Sequence, residues 1–313
     1  MQVNDLIFKE LIKRGYSLEG KTRVWNIADS KLWYLTPEQA QAFLDLEKSK
    51  DYQGDVIQKE VDLIKANMEK LVRRIKSKAV NIIDLGCGDG KKAVLFIQNL
   101  TKKGIKVRYC PIDISNYMVE KALEQVRKLN MSEVIECQWN ISDFENLENI
   151  TSLLRKEKVG CNIFLLLGNT LGNFEINELM YEIRSSMREG DVLVIGNGLD
   201  TRKPDAILKA YNNDLLDNLL IRTLTQIGLK RDELEYSARF RNSRVEMYYT
   251  MKKDKKIEFL DKHVNLNKGD QIVVAVSYKY DKSDFKSFMK IYFDDLDIFM
   301  SRDNSYALAL CRK

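Results

Sequence analysis

The chain is poor in the residues that most often carry chemistry or interrupt a fold. It has one histidine, three prolines and no apolar run of about 18 residues, the length a membrane-spanning helix needs. His263, alone in a lysine-rich stretch, reads as a bystander and speaks against histidine-based acid–base catalysis. Five cysteines (Cys87, Cys110, Cys137, Cys161, Cys311) are scattered, odd in number and without a close pair, which with the single histidine argues against a zinc or iron–sulfur centre. No metal is expected. Most of these cysteines fall in strand-like segments, so buried free thiols in a reducing, cytoplasmic compartment are the expectation. Met1 opens a polar, helical segment without signal-peptide character, and no membrane association is expected. No sign of charge dominates, with 51 basic against 46 acidic residues for a net +5. The densest basic runs, 73–78 and 252–256, are short and broken, and read as solvated faces rather than a nucleic-acid groove.

What is present is an ordinary globular composition, 44% hydrophobic and 31% charged over 313 residues, enough for one large or two modest domains. The stretch around which the chain is organised runs from Val80 to Lys92. It begins as a short apolar run, the signature of a buried parallel strand, and then turns into Gly86-Cys87-Gly88-Asp89-Gly90. Glycines at alternate positions remove the Cβ atoms that would keep a ligand off the backbone, and the amphipathic segment that follows points its free N–H groups at that ligand. A second apolar run, 107–112, ends in Asp113, where a nucleotide ribose is commonly held. A tight strand-to-helix turn without a ligand would also account for the glycines alone. Asp84, two residues before the first glycine, and the early third glycine resemble the first motif of S-adenosylmethionine-dependent methyltransferases more than a dinucleotide site. Asp143-Phe144, after the apolar segment 134–139, would suit an adenine edge and face.

Strand-like runs at 80–85, 107–112, 134–139, 162–167 and 192–196 alternate with helical ones at 91–100, 117–128 and 176–187, and a shorter helix around 150–156. This rhythm predicts an α/β, doubly wound, Rossmann-like parallel sheet with right-handed crossovers. An amphipathic helix from Lys59 to Ile75 carries Val61, Ile64, Met68, Leu71 and Ile75 at three-four spacing and would cover one face. Residues 1–54 read as helical, with Trp25, Trp33, Tyr34, Phe43 and Tyr52 forming an aromatic cluster suited to a core. After Leu199 the rhythm breaks. A helix is expected from Pro204 to Ile227, then antiparallel strands at 235–241, 244–251, 257–264 and 271–280, a helix at 283–292 and a last strand at 306–311 that returns to the sheet. The expected division is a cofactor domain of residues 55–198 plus 279–313 and an α+β substrate-binding domain of residues 1–54 plus 199–278.

After the fourth strand-like run comes Gly168-Asn169-Thr170-Leu171-Gly172-Asn173-Phe174. Asn173 offers both a donor and an acceptor, suited to fixing a carboxylate or an amine; a turn or helix-cap role is the bland alternative. With Ile83–Gly88, Pro111–Ser115, Leu167–Phe174, Gly190–Gly196, Ala210–Asn213, Arg244–Met247 and Ser277–Tyr280 in order, the chain resembles the histidine Nα-methyltransferase family of ergothioneine biosynthesis, which also includes fungal amino-acid N-methyltransferases. The resemblance implies S-adenosyl-L-methionine as cofactor, held by Gly86, Gly88, Lys92, Asp113, Asp143 and Phe144, with Lys92 neutralising the methionyl carboxylate. It places Asn173 and Tyr211 on the acceptor's amino-acid head, Met247 and Ser277 in its side-chain pocket, Tyr34 near the reacting amine and Tyr52 in the substrate pocket.

One departure matters. Histidine-methylating members place a glutamate two residues before the Ser-x-Lys-aromatic segment, where it binds imidazole, and this chain has Ala275 there. Losing that charged hydrogen bond, worth about 1.5–3 kcal/mol, makes histidine an unlikely substrate, and a larger or more apolar side chain would suit the space. Methyl transfer from a sulfonium is an in-line displacement needing neither metal nor covalent nucleophile, so positioning of a neutral amine by Tyr34 and Asn173 would supply much of the rate. The sequence therefore leads to an N-methyltransferase acting on an amino acid or related small amine. A methyltransferase of a protein or peptide amine, and a non-catalytic S-adenosylmethionine-binding partner protein, are the alternatives. The sequence does not determine the oligomeric state; a monomer is the default.

Overall fold

The computed structural model describes residues 3–48, 57–130, 133–134, 146–155, 160–200, 202–259 and 261–313. The chain divides into two compact units, Met1–Leu46 with Arg202–Lys279 (unit 1) and Glu47–Thr201 with Tyr280–Lys313 (unit 2).

In chain order, unit 1 begins with α1 (Val3–Arg14), β1 (Tyr16–Glu19), β2 (Thr22–Asn26) and α2 (Pro37–Glu47), whose last residue belongs to unit 2. Unit 2 holds α3 (Gln58–Arg73), β3 (Ala79–Leu85), α4 (Lys91–Lys102), β4 (Lys106–Ile112), α5 (Asn116–Arg127), β5 (Glu133–Val134), α6 (Leu147–Arg155), β6 (Cys161–Leu166), α7 (Ile176–Ser186) and β7 (Val192–Gly198). The chain returns to unit 1 through α8 (Pro204–Tyr211), α9 (Asp214–Thr225), β8 (Leu234–Arg241), β9 (Arg244–Met251), β10 (Lys255–Phe259), β11 (Lys262–Leu266) and β12 (Gln271–Tyr278). It ends in unit 2 with α10 (Lys282–Tyr292), β13 (Asp295–Met300) and β14 (Tyr306–Arg312).

Unit 2 is built on a seven-stranded sheet of order β13-β14-β7-β6-β3-β4-β5. The pairs from β7 to β5 are parallel, and β14 runs antiparallel to β7 with Ala309 opposite Ile195. One strand parity (Val80, Ile82, Ile163, Leu165, Val194, Leu308) packs under α3, α4 and α5. The other parity (Ile83, Phe164, Leu166, Ile195, Ala309) is equally buried. Burial on both faces is why these strands read as continuous apolar runs. This is the doubly wound, Rossmann-like arrangement the rhythm of the sequence predicts. The strand expected at 134–139 is described only at Glu133–Val134. Strand β13 was not anticipated; its residues Asp295 and Asp297 pair with Arg74, which breaks the apolar pattern of an edge strand.

Unit 1 centres on a five-stranded sheet of order β1-β2-β12-β9-β8, with β10 and β11 as a separate hairpin. Three expectations are corrected here. Residues 1–54 are not wholly helical: β1 and β2 form a hairpin through Gly20, whose φ of +61° suits the first position of a tight hairpin turn, and β2 then pairs in parallel with β12. The helix expected from Pro204 to Ile227 is two helices. Asn213 interrupts it by accepting the Leu216 N–H at 3.0 Å and so caps α9. The single strand expected at 257–264 is the β10–β11 hairpin. The core of this unit gathers Trp25, Trp33, Met247, Tyr249, Ile272 and Ala275. The indole N–H groups are satisfied, Trp33 by the Val274 carbonyl at 2.8 Å and Trp25 by Asp270 at 3.1 Å. These aromatics are core residues.

Candidate functional site

Within unit 2 the polar groups gather beyond the carboxyl ends of β3, β4, β6 and β7, where ligands of doubly wound sheets lie. The turn after β3 is stitched to β4, since Gly86 and Cys87 donate their N–H groups to the Ile112 carbonyl at 2.7 and 3.1 Å. Its glycines do different work. At Gly90, φ +75°, an added Cβ would lie 2.7 Å from the Ala122 backbone on α5, so this glycine permits close packing of loop and helix. At Gly88, φ +51°, nothing lies within 4 Å of such a Cβ. There the backbone faces open space, a cradle against which a ligand could rest.

Asp113 closes this cradle. Its carboxylate accepts the N–H groups of Gly88 at 3.1 Å and Ser115 at 3.0 Å. Burial pushes its pKa up to about 6, against the pull of those backbone donors. Asp84, the other acid of the motif, is only 5% exposed and lies beneath the loop. The Tyr109 hydroxyl donates to it at 2.7 Å, and burial pushes its pKa up to about 7 despite that bond. Asp84 ties β3 to β4 rather than facing a ligand.

Lys92, one turn into α4, is already matched by an acid. Its ammonium lies 2.9 Å from the carboxylate of Glu60, which is fully buried. Burial disfavours the charge on Lys92, but the carboxylates of Glu60 and Glu47 outweigh it, and the ammonium titrates above its ordinary value. Glu60 also accepts from the Gly168 N–H at 2.9 Å and from the Tyr306 hydroxyl at 2.7 Å. A Cβ on Gly196 would collide with it. Glu60 was missed in the sequence, although it had a signal: it stands at the head of the apolar stripe 64, 68, 71, 75, where an acid is out of place. The loop after β6 is held to the end of β7 by Asn169, whose side-chain oxygen accepts the Gly198 N–H at 2.5 Å. Asn173 ends the short helical turn Thr170–Asn173, half-buried; among the described residues its side-chain amide has no hydrogen-bond partner. It is therefore not serving as a cap.

Within unit 1, Tyr211 and Tyr34 pack on the core that contains Met247 and Ala275. Met247 is 3% exposed, and its register partner across β9–β12 is Ala275. The Tyr34 ring meets Phe43 edge-on at 5.2 Å. The Tyr211 hydroxyl lies 3.1 Å from that of Ser277, and Tyr236 donates to the Tyr211 carbonyl at 2.8 Å. Lys279, given no role in the sequence beyond its place in the segment Ser277–Tyr280, completes the group. The Lys279 ammonium donates to Ser277 at 2.9 Å and to Tyr211 at 2.5 Å. Tyr52, Asp143 and Phe144 lie outside the described residues.

A family model for histidine-specific, S-adenosylmethionine-dependent methyltransferases matches residues 39–313. The chain belongs to that family. Ergothioneine biosynthesis protein 1 of Schizosaccharomyces pombe (strain 972 / ATCC 24843) is 25% identical over 128 residues, 40% of this chain and 17% of that protein. The chain thus spans less than a fifth of that relative's length. Histidine N-alpha-methyltransferase of Mycobacterium tuberculosis (strain CDC 1551 / Oshkosh) is 22% identical over 237 residues, 71% of this chain and 70% of that protein. Among solved structures, the PH0226 protein from Pyrococcus horikoshii OT3 is 16% identical, covering 89% of this chain and 100% of that one with a TM-score of 0.43. The cofactor of the family is S-adenosylmethionine. The Gly88 cradle, with Asp113 beside it, suits such a ligand, because the open backbone admits an extended molecule and the carboxylate can accept from ribose hydroxyls.

Proposed function

We propose that this chain transfers a methyl group to the amino group of an amino acid or a closely related small molecule, and that histidine is not the preferred acceptor. The observation that carries the departure from histidine is Ala275, fully buried opposite Met247, where an imidazole-binding acid would have to stand. A buried methyl group offers imidazole no hydrogen bond, so its N–H would be stripped of water without replacement.

In this reading unit 2 binds the cofactor through the backbone at Gly86 and Gly88 and the carboxylate of Asp113, and unit 1 binds the acceptor. S-adenosylmethionine, when bound, supplies an electrophilic methyl group on a cationic sulfur. In unit 2 the amide of Asn173, without a hydrogen-bond partner among the described residues, has a donor and an acceptor to spend on a ligand; in unit 1 Tyr211 and Tyr34 carry the hydroxyls proposed for the acceptor's head. Lys92, held by Glu60, contributes part of a positive charge rather than a whole one to the methionyl carboxylate. Asp143, Phe144 and Tyr52 are assigned the adenine and the acceptor pocket respectively. Orientation of a neutral amine is the main work asked of the protein, and well-oriented reactants gain about 7–11 kcal/mol.

The test is mass-spectrometric detection of a methylated amine after incubating the protein with S-adenosylmethionine, an amino-acid panel that includes histidine, and a metabolite extract. A singly methylated non-histidine amine is expected, with turnover reduced on the order of 100-fold in Asn173→Ala and Tyr211→Phe. Efficient methylation of histidine would refute the weight given to Ala275.

A further inference from the structure

Lys279 is not explained by the roles above. Its ammonium donates to the hydroxyls of Tyr211 and Ser277, at 2.5 and 2.9 Å, and sits 4.8 Å from the centroid of the Tyr211 ring. Among the described residues it has no carboxylate within 4.0 Å. Lys92, by contrast, has the carboxylate of Glu60 at 2.9 Å. Lys279, Tyr211 and Ser277 are all half-buried, so the charge is partly withdrawn from water yet open to a ligand.

The donors can be counted. Lys279 has three N–H bonds, of which two point to the hydroxyls. One hydroxyl can donate to the other across their 3.1 Å separation. One ammonium N–H and one O–H then remain, a pair of donors carrying one formal positive charge. Two convergent donors with a charge are what the two oxygens of an oxyanion accept. The strand adds the second element. Ala275 and Ser277 occupy alternate positions of β12, and Lys279, just past the strand's end, brings its ammonium to Ser277, so this line runs from a buried methyl through a hydroxyl to an ammonium and contains no acid.

We infer that the methyl acceptor is an amine whose side chain ends in an oxyanion, a carboxylate or a phosphate, received by Lys279 and Ser277. The inference rests on unit 1 being the acceptor-binding unit. It also revises the earlier expectation of a larger or more apolar acceptor: the alanine that removes the imidazole partner leaves a cation as the charge of the site. A cationic acceptor side chain is repelled, a neutral one leaves the ammonium unmatched, and an anionic one satisfies it.

The test is a competition among glutamate, aspartate, O-phosphoserine, glutamine, asparagine and histidine, with the full chain and S-adenosylmethionine, read as kcat/KM for each methylated product. Preference for an acidic member over its amide isostere by about 10- to 100-fold is expected, the range of one charge-assisted hydrogen bond. Lys279→Met should erase most of that preference while Lys279→Arg keeps it. Glutamate or aspartate against O-phosphoserine separates carboxylate from phosphate. Equal or better use of the amides or histidine, or a uniform loss for all acceptors in Lys279→Met, overturns the inference and leaves the amino-acid methyltransferase reading standing. Absence of any methylated amine, with S-adenosylmethionine bound, overturns both.

Discussion

The strand ends of unit 2 and the Ser277 group of unit 1 treat charge in opposite ways. In unit 2 the polar groups of the strand ends satisfy one another: Lys92 with Glu60, Glu60 with Gly168 and Tyr306, Asp113 with Gly88 and Ser115, Asn169 with Gly198. In unit 1 the Lys279 ammonium meets, among the described residues, two hydroxyls and the face of the Tyr211 ring but no carboxylate. A site whose charges are internally balanced is rigid before its ligand arrives, which suits a cofactor that is always the same molecule. A site with an unmatched charge takes its balance from the ligand, and so discriminates among ligands. In the proposed reading, preorganisation and discrimination fall to different units of one chain.

The comparison breaks most easily at Glu60. Glu60→Ala should destabilise the protein by about 3–5 kcal/mol in urea unfolding, since it strands a lysine, a backbone N–H and a tyrosine hydroxyl together. Lys279→Met should cost about 1 kcal/mol or less in the same assay, because no buried acid is left behind. Comparable losses for both would erase the distinction between the units.

The glycine loop sharpens it at an intermediate scale. Gly90→Ala forces a Cβ against the Ala122 backbone and should cost about 3 kcal/mol of stability. Gly88→Ala places its Cβ in open space and should cost only about 1–2 kcal/mol for the left-handed backbone, while cofactor affinity falls on the order of 100-fold. Calorimetric binding and thermal melts on the two variants separate the roles; a Gly88→Ala protein that binds normally would empty the cradle of meaning.

The smallest effect is one of pH. In the proposed reading Asp113 accepts from ribose hydroxyls most strongly as a carboxylate, and burial pushes its pKa up to about 6. Cofactor affinity should therefore be full at pH 8 and fall by about tenfold for each unit below pH 6, measured by titration calorimetry. Stability runs the other way. The folded-state values of Asp113 and Asp84, about 6 and about 7, lie above the ordinary 3.8, so the native state holds extra protons between pH 4 and 7. Their contribution to stability is greatest below about pH 4 and is lost as pH rises towards 7. Asp84→Asn should flatten that decline, read by urea unfolding at pH 4 and pH 7.

Much of this was legible beforehand, and for identifiable reasons. The strands of unit 2 are apolar on both faces and alternate with amphipathic helices, a pattern that short windows of sequence reveal. The glycine loop and Asp113 lie on adjacent strand ends, so their order along the chain predicts their meeting. Unit 1 was harder. Its hairpin at residues 16–26 carries aromatic bulk that also suits a helix, and its place in the sheet depends on a parallel pairing with β12, some 250 residues on. Asn213 could be read as part of a helix or as its cap until the chain around it was folded.

By itself the sequence determined the class of sheet, the position of the glycine loop and the family, because these follow from local periodicity and from motifs read in order. Only the tertiary structure decided which charges are matched. Tyr306 reaches Glu60 from 246 residues away, and Lys279 reaches Tyr211 from 68. Ionic balance depends on distances of a few ångströms between residues that no local pattern connects, and strong electrostatic differences fall within that range.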